Sequence, residues 1–189
     1  MNAITKIDTR QVINGIDVDA VKQLAADVSG DSAKGMTKWK VTTAWQDQAW
    51  SRTRVEGFGI GGKHVARSFA IDIDEPFELA GSNRFANPQE HLLAAMNACM
   101  TVGYVAQCAL RGIVLDKLEI ETEGEIDLRG FLGLADVAPG YEGLRYTVRI
   151  SGDATEAEFA EVHAAVMATS PNFYNVSHAV KLSPTLVVE

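Results

Sequence analysis

From Leu92 to Leu110 the chain carries no formal charge, and no other segment constrains the fold so strongly. Its flanks predict a helix: Asn87 suits an N-cap, Pro88 suits the first helical position, and Glu90 stands where a capping-box carboxylate reaches back to the cap. Gly112 supplies the stop. Apolar or small residues occur on every side of the helical wheel, which predicts a helix surrounded by protein. The run is just long enough to span a bilayer. However, Asn97, Thr101, Gln107 and many alanines make it weakly hydrophobic, and no aromatic or basic anchors flank it. A buried central helix is therefore the expectation.

The 189 residues are enough for one domain with a substantial core and an appended arm. Residues 1–35 read as that arm and its linker: Val18, Val21, Leu24, Ala25 and Val28 recur at helical spacing behind Asp17 or Asp19 as cap. Residues 36–189 form the main domain. The net charge of −8 argues against a nucleic-acid partner, and no membrane contact is expected. The first residues lack a basic segment followed by an apolar one, so the expected compartment is the cytoplasm. Cys99 and Cys108 are the two cysteines. On one helix they stand about 180° apart and roughly 13 Å along the axis, too far to bridge. Without CxxC, HExxH or paired-histidine spacing, no metal or other cofactor is expected.

Alternation predicts a half-buried strand through Trp39, Val41, Thr43 and Trp45, and another from Trp50 to Val55. Gly57 to Gly62 matches GxGxxG, but a strand follows rather than the helix a dinucleotide site requires. That strand, His64 to Asp74, turns Val65, Phe69, Ile71 and Ile73 one way, and Arg67 shares their parity. A guanidinium on an apolar face needs an anion or a route to solvent. Leu118, Ile120, Thr122, Ile126 and Leu128 alternate with acidic residues, predicting a strand with one buried and one charged face. Leu144 to Ile150 would pair with it and set Arg145 and Arg149 against the acidic row. Thr155 and Glu158 form a capping box for a second helix that directs His163 coreward; Ser170-Pro171 opens another, and Lys181 to Val188 reads as a closing strand.

Three stretches stand in a telling order: Ile71-Asp72-Ile73-Asp74-Glu75-Pro76, then Asn87-Pro88-Gln89-Glu90-His91-Leu92 running on to Cys99, then Ser170-Pro171. Together they resemble the OsmC/Ohr superfamily over residues 36–189. The resemblance implies an α+β fold in which two chains intertwine as a homodimer, antiparallel sheets wrapping central helices. It also implies thiol peroxidase chemistry, in which a helix cysteine attacks a hydroperoxide, an arginine and a glutamate set up the thiolate, and a second cysteine resolves the sulfenic acid. Cys99 matches the attacking position. The resolving position, Cys-Pro in family peroxidases, is Ser170-Pro171 here, and the family's glutamate position is Gln89. Glu90 is the adjacent carboxylate, about 180° from Cys99 on an ideal helix. Arg67 is the first candidate for the arginine, with Arg52 and Arg54 behind it.

Cys99 lies roughly 18 Å from the positive end of its helix, so the helix dipole does little for its thiolate and a cationic neighbour would be needed. Two functions fit. In one, Cys99, with Arg67 and Glu90, reduces organic hydroperoxides in a one-cysteine cycle completed by an external thiol reductant. In the other, the fold is a non-catalytic module that binds an apolar small molecule at the dimer interface. A nicotinamide-dependent enzyme rests on the glycine run alone.

Overall fold

The computed structural model describes residues 11–189. The chain forms two compact units, one ending at Leu92 and the other running from Leu93 to Glu189. As expected, helix and antiparallel sheet are mixed.

In the first unit, β1 (Val12–Ile13) and β2 (Ile16–Asp17) make a small hairpin that leads into α1 (Val18–Gly30). Asp17 caps α1 by accepting from the Ala20 amide at 3.0 Å, as its position suggested. Next come β3 (Thr37–Trp39), β4 (Thr42–Asp47), β5 (Trp50–Ile60) and β6 (Lys63–Ile73). β5 is the spine of this sheet: β6 pairs along one edge, while β3 and β4 share the other. The single strand expected from Trp39 to Trp45 is thus two. Trp39 is opposite Phe58 but Thr42 is opposite Arg54, a register slip that takes Lys40 and Val41 out of the ladder. β5 also outlasts its expected end at Val55, because Gly57 to Ile60 continue the ladder and Gly61-Gly62, both at positive φ, make the hairpin turn.

The loop after β6 is organised by Asp74, a carboxylate with no exposed surface. It accepts the Glu75 amide at 2.9 Å, the Ser82 hydroxyl at 2.5 Å, and the amides of Ser82 and Arg84 at 3.2 Å each. These bonds fold the segment that delivers Asn87 to the next helix. The Ser82 hydroxyl first, then the backbone amides, hold the Asp74 pKa down to about 2, outweighing desolvation. A carboxylate whose folded pKa lies below its unfolded value of about 3.9 contributes stability above that pH and loses it as pH falls toward 2. Asp74→Asn should therefore lower the melting temperature at pH 7 by several degrees and flatten the loss of stability between about pH 4 and pH 2. Thermal melts across that range check it; an unchanged acid limb would refute it.

α2 (Pro88–Arg111) starts in the first unit and continues through the second. Its cap is reciprocal: the Asn87 amide donates to Glu90 at 2.7 Å, and the Glu90 amide donates to Asn87 Oδ1 at 2.8 Å. At the far end Gly112 takes φ 79°, and the Ile113 amide returns to the Cys108 carbonyl at 2.9 Å, so the helix stops where the glycine predicted.

The second unit adds β7 (Leu115–Gly124), the short α3 (Leu128–Phe131), β8 (Leu144–Gly152), α4 (Glu156–Thr169) and α5 (Pro171–Ser177). Met96, Met100, Tyr104 and Cys108, one stripe of α2 at four-residue spacing, form its core with Ile113, Val162 and Val166. The inner faces of β7 and β8 pack against them through Leu118, Ile120, Val148 and Ile150. Burial on every side of α2 does not hold within the chain. Val102 is 67% exposed, and Leu92 and Leu110 are also open, because β7, β8 and α4 cover one stripe only.

The charge pairing of β7 with β8 is as expected. Glu119 is opposite Arg149 and Glu123 opposite Arg145, with the Arg145–Glu123 pair at 3.0 Å and Arg149 reaching Glu121 at 2.8 Å. All are exposed, so water and salt screen them and they contribute little to stability. β7 ends at Gly124, however, and Ile126 and Leu128 lie outside it; Asp127 instead caps α3 by accepting from the Arg129 amide. The capping box of Thr155 and Glu158 opens α4 as predicted, and Ser170-Pro171 opens α5. Lys181 to Val188 is no strand. Its residues pair with no sheet edge among the described residues, and Leu182, Leu186, Val187 and Val188 are exposed.

Candidate functional site

Cys99 sits on the turn of α2 that the second unit holds most firmly by polar contacts. On one side the Asn97 side chain donates to the Ile120 carbonyl of β7 at 3.2 Å and accepts from the Thr122 hydroxyl at 2.6 Å. On the other, Asn172 in the first turn of α5 donates to the Ala95 carbonyl at 2.9 Å. A lone amide in an apolar run had to find partners, because an unpaired buried polar group costs about 1–3 kcal/mol. Those partners lie in distant segments, which local spacing could not identify.

These contacts put the start of α5 beside the sulfur. The Ser170 hydroxyl lies 3.5 Å from Cys99 Sγ and is itself only 5% exposed. Ser170 caps α5, its oxygen accepting from the Phe173 amide. A hydroxyl has one proton and two lone pairs. With the oxygen engaged by an incoming N–H, the proton is free to point at the sulfur. Cys99 is partly exposed, so a small reagent can reach it. Cys108 differs: it is buried, and burial pushes its thiol pKa up. The two cysteines are free, as their helical spacing required.

The other predicted residues have partners of their own. Glu90 is the second half of the α2 capping box. Arg67 places its guanidinium over the rings of Phe69 and Phe58, 4.7 and 5.9 Å from their centroids. The aromatic faces, not an anion, explain why a cation shares the parity of apolar residues. Arg52 makes a two-point pair with Asp72 at 2.8 and 3.0 Å, which holds the Asp72 carboxyl below the usual carboxylate range with help from Trp50. Arg54 has no carboxylate partner among the described residues.

His163 is exposed rather than coreward, yet its Nδ1 meets the hydroxyl of the buried Tyr104. Burial, ahead of the neighbouring Tyr146 and Cys108, pushes the Tyr104 pKa up to about 12. The phenol therefore keeps its proton at neutral pH. Beside this pair lies a cavity of about 400 Å³ bounded by Tyr146, Val148, Ile150 and Phe159.

Among solved structures the chain is similar to an OsmC-like protein from Mycoplasma pneumoniae, at 17% identity and a TM-score of 0.55 over 74% of this chain and 87% of that one. It is also similar to an OsmC-like protein from Vibrio cholerae, at 11% identity and a TM-score of 0.51 over 73% and 92%. An organic hydroperoxide resistance protein from Legionella pneumophila aligns at 16% identity and a TM-score of 0.50 over 74% and 88%. No curated protein sequence matches it. The family model described as OsmC-like protein matches residues 81–185, a span holding α2, Cys99 and Ser170 and covering more than half of the sequence, so the chain belongs to the OsmC family.

Proposed function

We propose that the protein is a thiol-dependent hydroperoxide reductase whose nucleophile is Cys99. The observation that carries the reading is the 3.5 Å contact between Ser170 Oγ and Cys99 Sγ, at the position where family peroxidases resemble this chain but carry a second cysteine. The Cys99 thiolate attacks the distal oxygen of a hydroperoxide, the O–O bond breaks, and the alkoxide leaves with a proton as an alcohol. Cys99 is then a sulfenic acid. Because Ser170 cannot form a disulfide, an external thiol condenses with it and releases water, and a second external thiol restores Cys99 as the reductant becomes a disulfide. In this reading Arg67 and Glu90 set the ionisation of Cys99, and the working unit is an intertwined homodimer whose second chain covers the open stripe of α2.

Treating the protein with stoichiometric organic hydroperoxide in the presence of dimedone should give one adduct at Cys99 by mass spectrometry. No adduct at physiological pH overturns the proposal. Arg67→Gln and Glu90→Gln separate ionisation from structure. If Arg67 sets the thiolate, Arg67→Gln should raise the pH midpoint of Cys99 alkylation by about one unit or more, and if the Glu90 charge acts on it, Glu90→Gln should lower it, while far-UV dichroism is unchanged. An unmoved midpoint in both variants leaves these residues with the ring stacking and helix cap they already provide.

The aromatic cavity beside Tyr104 favours a second reading, a non-catalytic module for an apolar small molecule. Equal ligand binding by the native protein and Cys99→Ser, with no peroxide turnover by either, would select it.

A further inference from the structure

The glycine run at the end of β5 and in the turn to β6 has no part in the chemistry proposed for Cys99, yet it lines a basic cavity in an acidic chain. In the first unit a cavity of about 670 Å³ is lined by Lys38, Lys40, Arg54 and Lys63, with His64 beside them and Glu56 as the one carboxylate. It opens where the register slip between β3 and β4 takes Lys40 and Val41 out of the ladder.

The four cations have no carboxylate within ion-pair distance among the described residues. Of the eleven other described lysines and arginines, Lys34, Arg52, Lys117, Arg129, Arg145 and Arg149 each hold one; the remaining five are not gathered around this cavity. In a chain with 25 acidic and 17 basic side chains, carboxylates are not scarce. Gathering unpaired cations around one cavity costs electrostatic energy in the free protein, and a bound anion returns it.

The shape suits the charge. Gly57, Gly59 and Gly62 contribute no side chains to the lining, leaving bare backbone between the cations. Gly57 admits no side chain at all, since a Cβ there would stand 2.4 Å from His64 Cε1 and 2.6 Å from the Val65 carbonyl. The imidazole is thereby laid against β5.

We propose that this cavity binds a phosphorylated small molecule, with Lys38, Lys40, Arg54 and Lys63 holding phosphate oxygens. Arginine offers a fork matched to two phosphate oxygens, and lysines add point charges. Four cations against one carboxylate match a di- or trianion better than a monocarboxylate. The volume falls within the range of about 300–1,000 Å³ usual for small-molecule sites.

Calorimetric titration of the full-length protein with inorganic pyrophosphate, and separately with ADP, tests the proposal. Saturable binding of at least one is expected. The double variant Lys40→Gln, Arg54→Gln should weaken it by about tenfold or more, while Arg145→Gln, Arg149→Gln on β8 should not change it; dichroism confirms that both variants fold. Tighter binding of ADP than of pyrophosphate shows that the cavity also holds the organic part, and equal affinities assign the site to phosphate alone. No saturable binding of either probe, or binding indifferent to the Lys40 and Arg54 changes, overturns the proposal.

Discussion

Cys99→Ser is expected to reduce thiol-dependent hydroperoxide consumption on the order of 10³-fold or more, because an alcohol at that place forms no sulfenic acid and the covalent step disappears. Cys108→Ala is the informative companion. Its sulfur is buried and its pKa is raised by that burial, so its removal should leave turnover within about twofold and cost only the stability of a lost core atom, about 1 kcal/mol. Steady-state peroxide consumption with a small dithiol as reductant measures both. Retention of the activity by Cys99→Ser would end the enzymatic reading, whereas equal losses in the two variants would point to a general loss of structure.

Ser170→Cys should change the cycle rather than stop it. The native hydroxyl oxygen is 3.5 Å from Cys99 Sγ, so an introduced thiol needs roughly 1.5 Å of closure to reach the S–S bond length. After one equivalent of hydroperoxide, the Cys99 sulfenic acid should condense with that thiol, releasing water and forming an intrachain disulfide. Dimedone trapping should fall at least about tenfold, and the peptides of α2 and α5 should be found joined in non-reducing digests. If both thiols stay free after oxidation, the contact seen here is not available to the reacting sulfur. The substitution also weakens the α5 cap, at a cost of about 1 kcal/mol.

Much of this architecture was legible because its signals are local. Asn87 and Glu90, Thr155 and Glu158, and Gly112 each act within one helical turn, and each works as read. The charge rows of β7 and β8 were legible for a similar reason, since a period of two decides which side chains meet once the strands pair. What could not be read depends on distant partners. Lys40 leaves the sheet because β5 is shared by two strands, and Arg67 keeps its apolar parity because Phe58 and Phe69 offer ring faces. Lys181 to Val188 has a strand's alternation but no neighbouring edge. At the site, Cys99 and Ser170 were both named through the family resemblance, but local spacing could not put the hydroxyl beside the sulfur, because 71 residues separate the two in sequence.

Ser170 anchors a helix and meets the Cys99 sulfur with one functional group, and the two contacts draw on different parts of it. Oxygen is a good acceptor for a helix's first amides and sulfur a poor one. A version of this chain with cysteine there would gain a covalent exit for the oxidised state and begin α5 less securely. With serine it keeps the anchored helix, and under the proposed cycle the recovery of Cys99 falls to whatever thiols its surroundings provide.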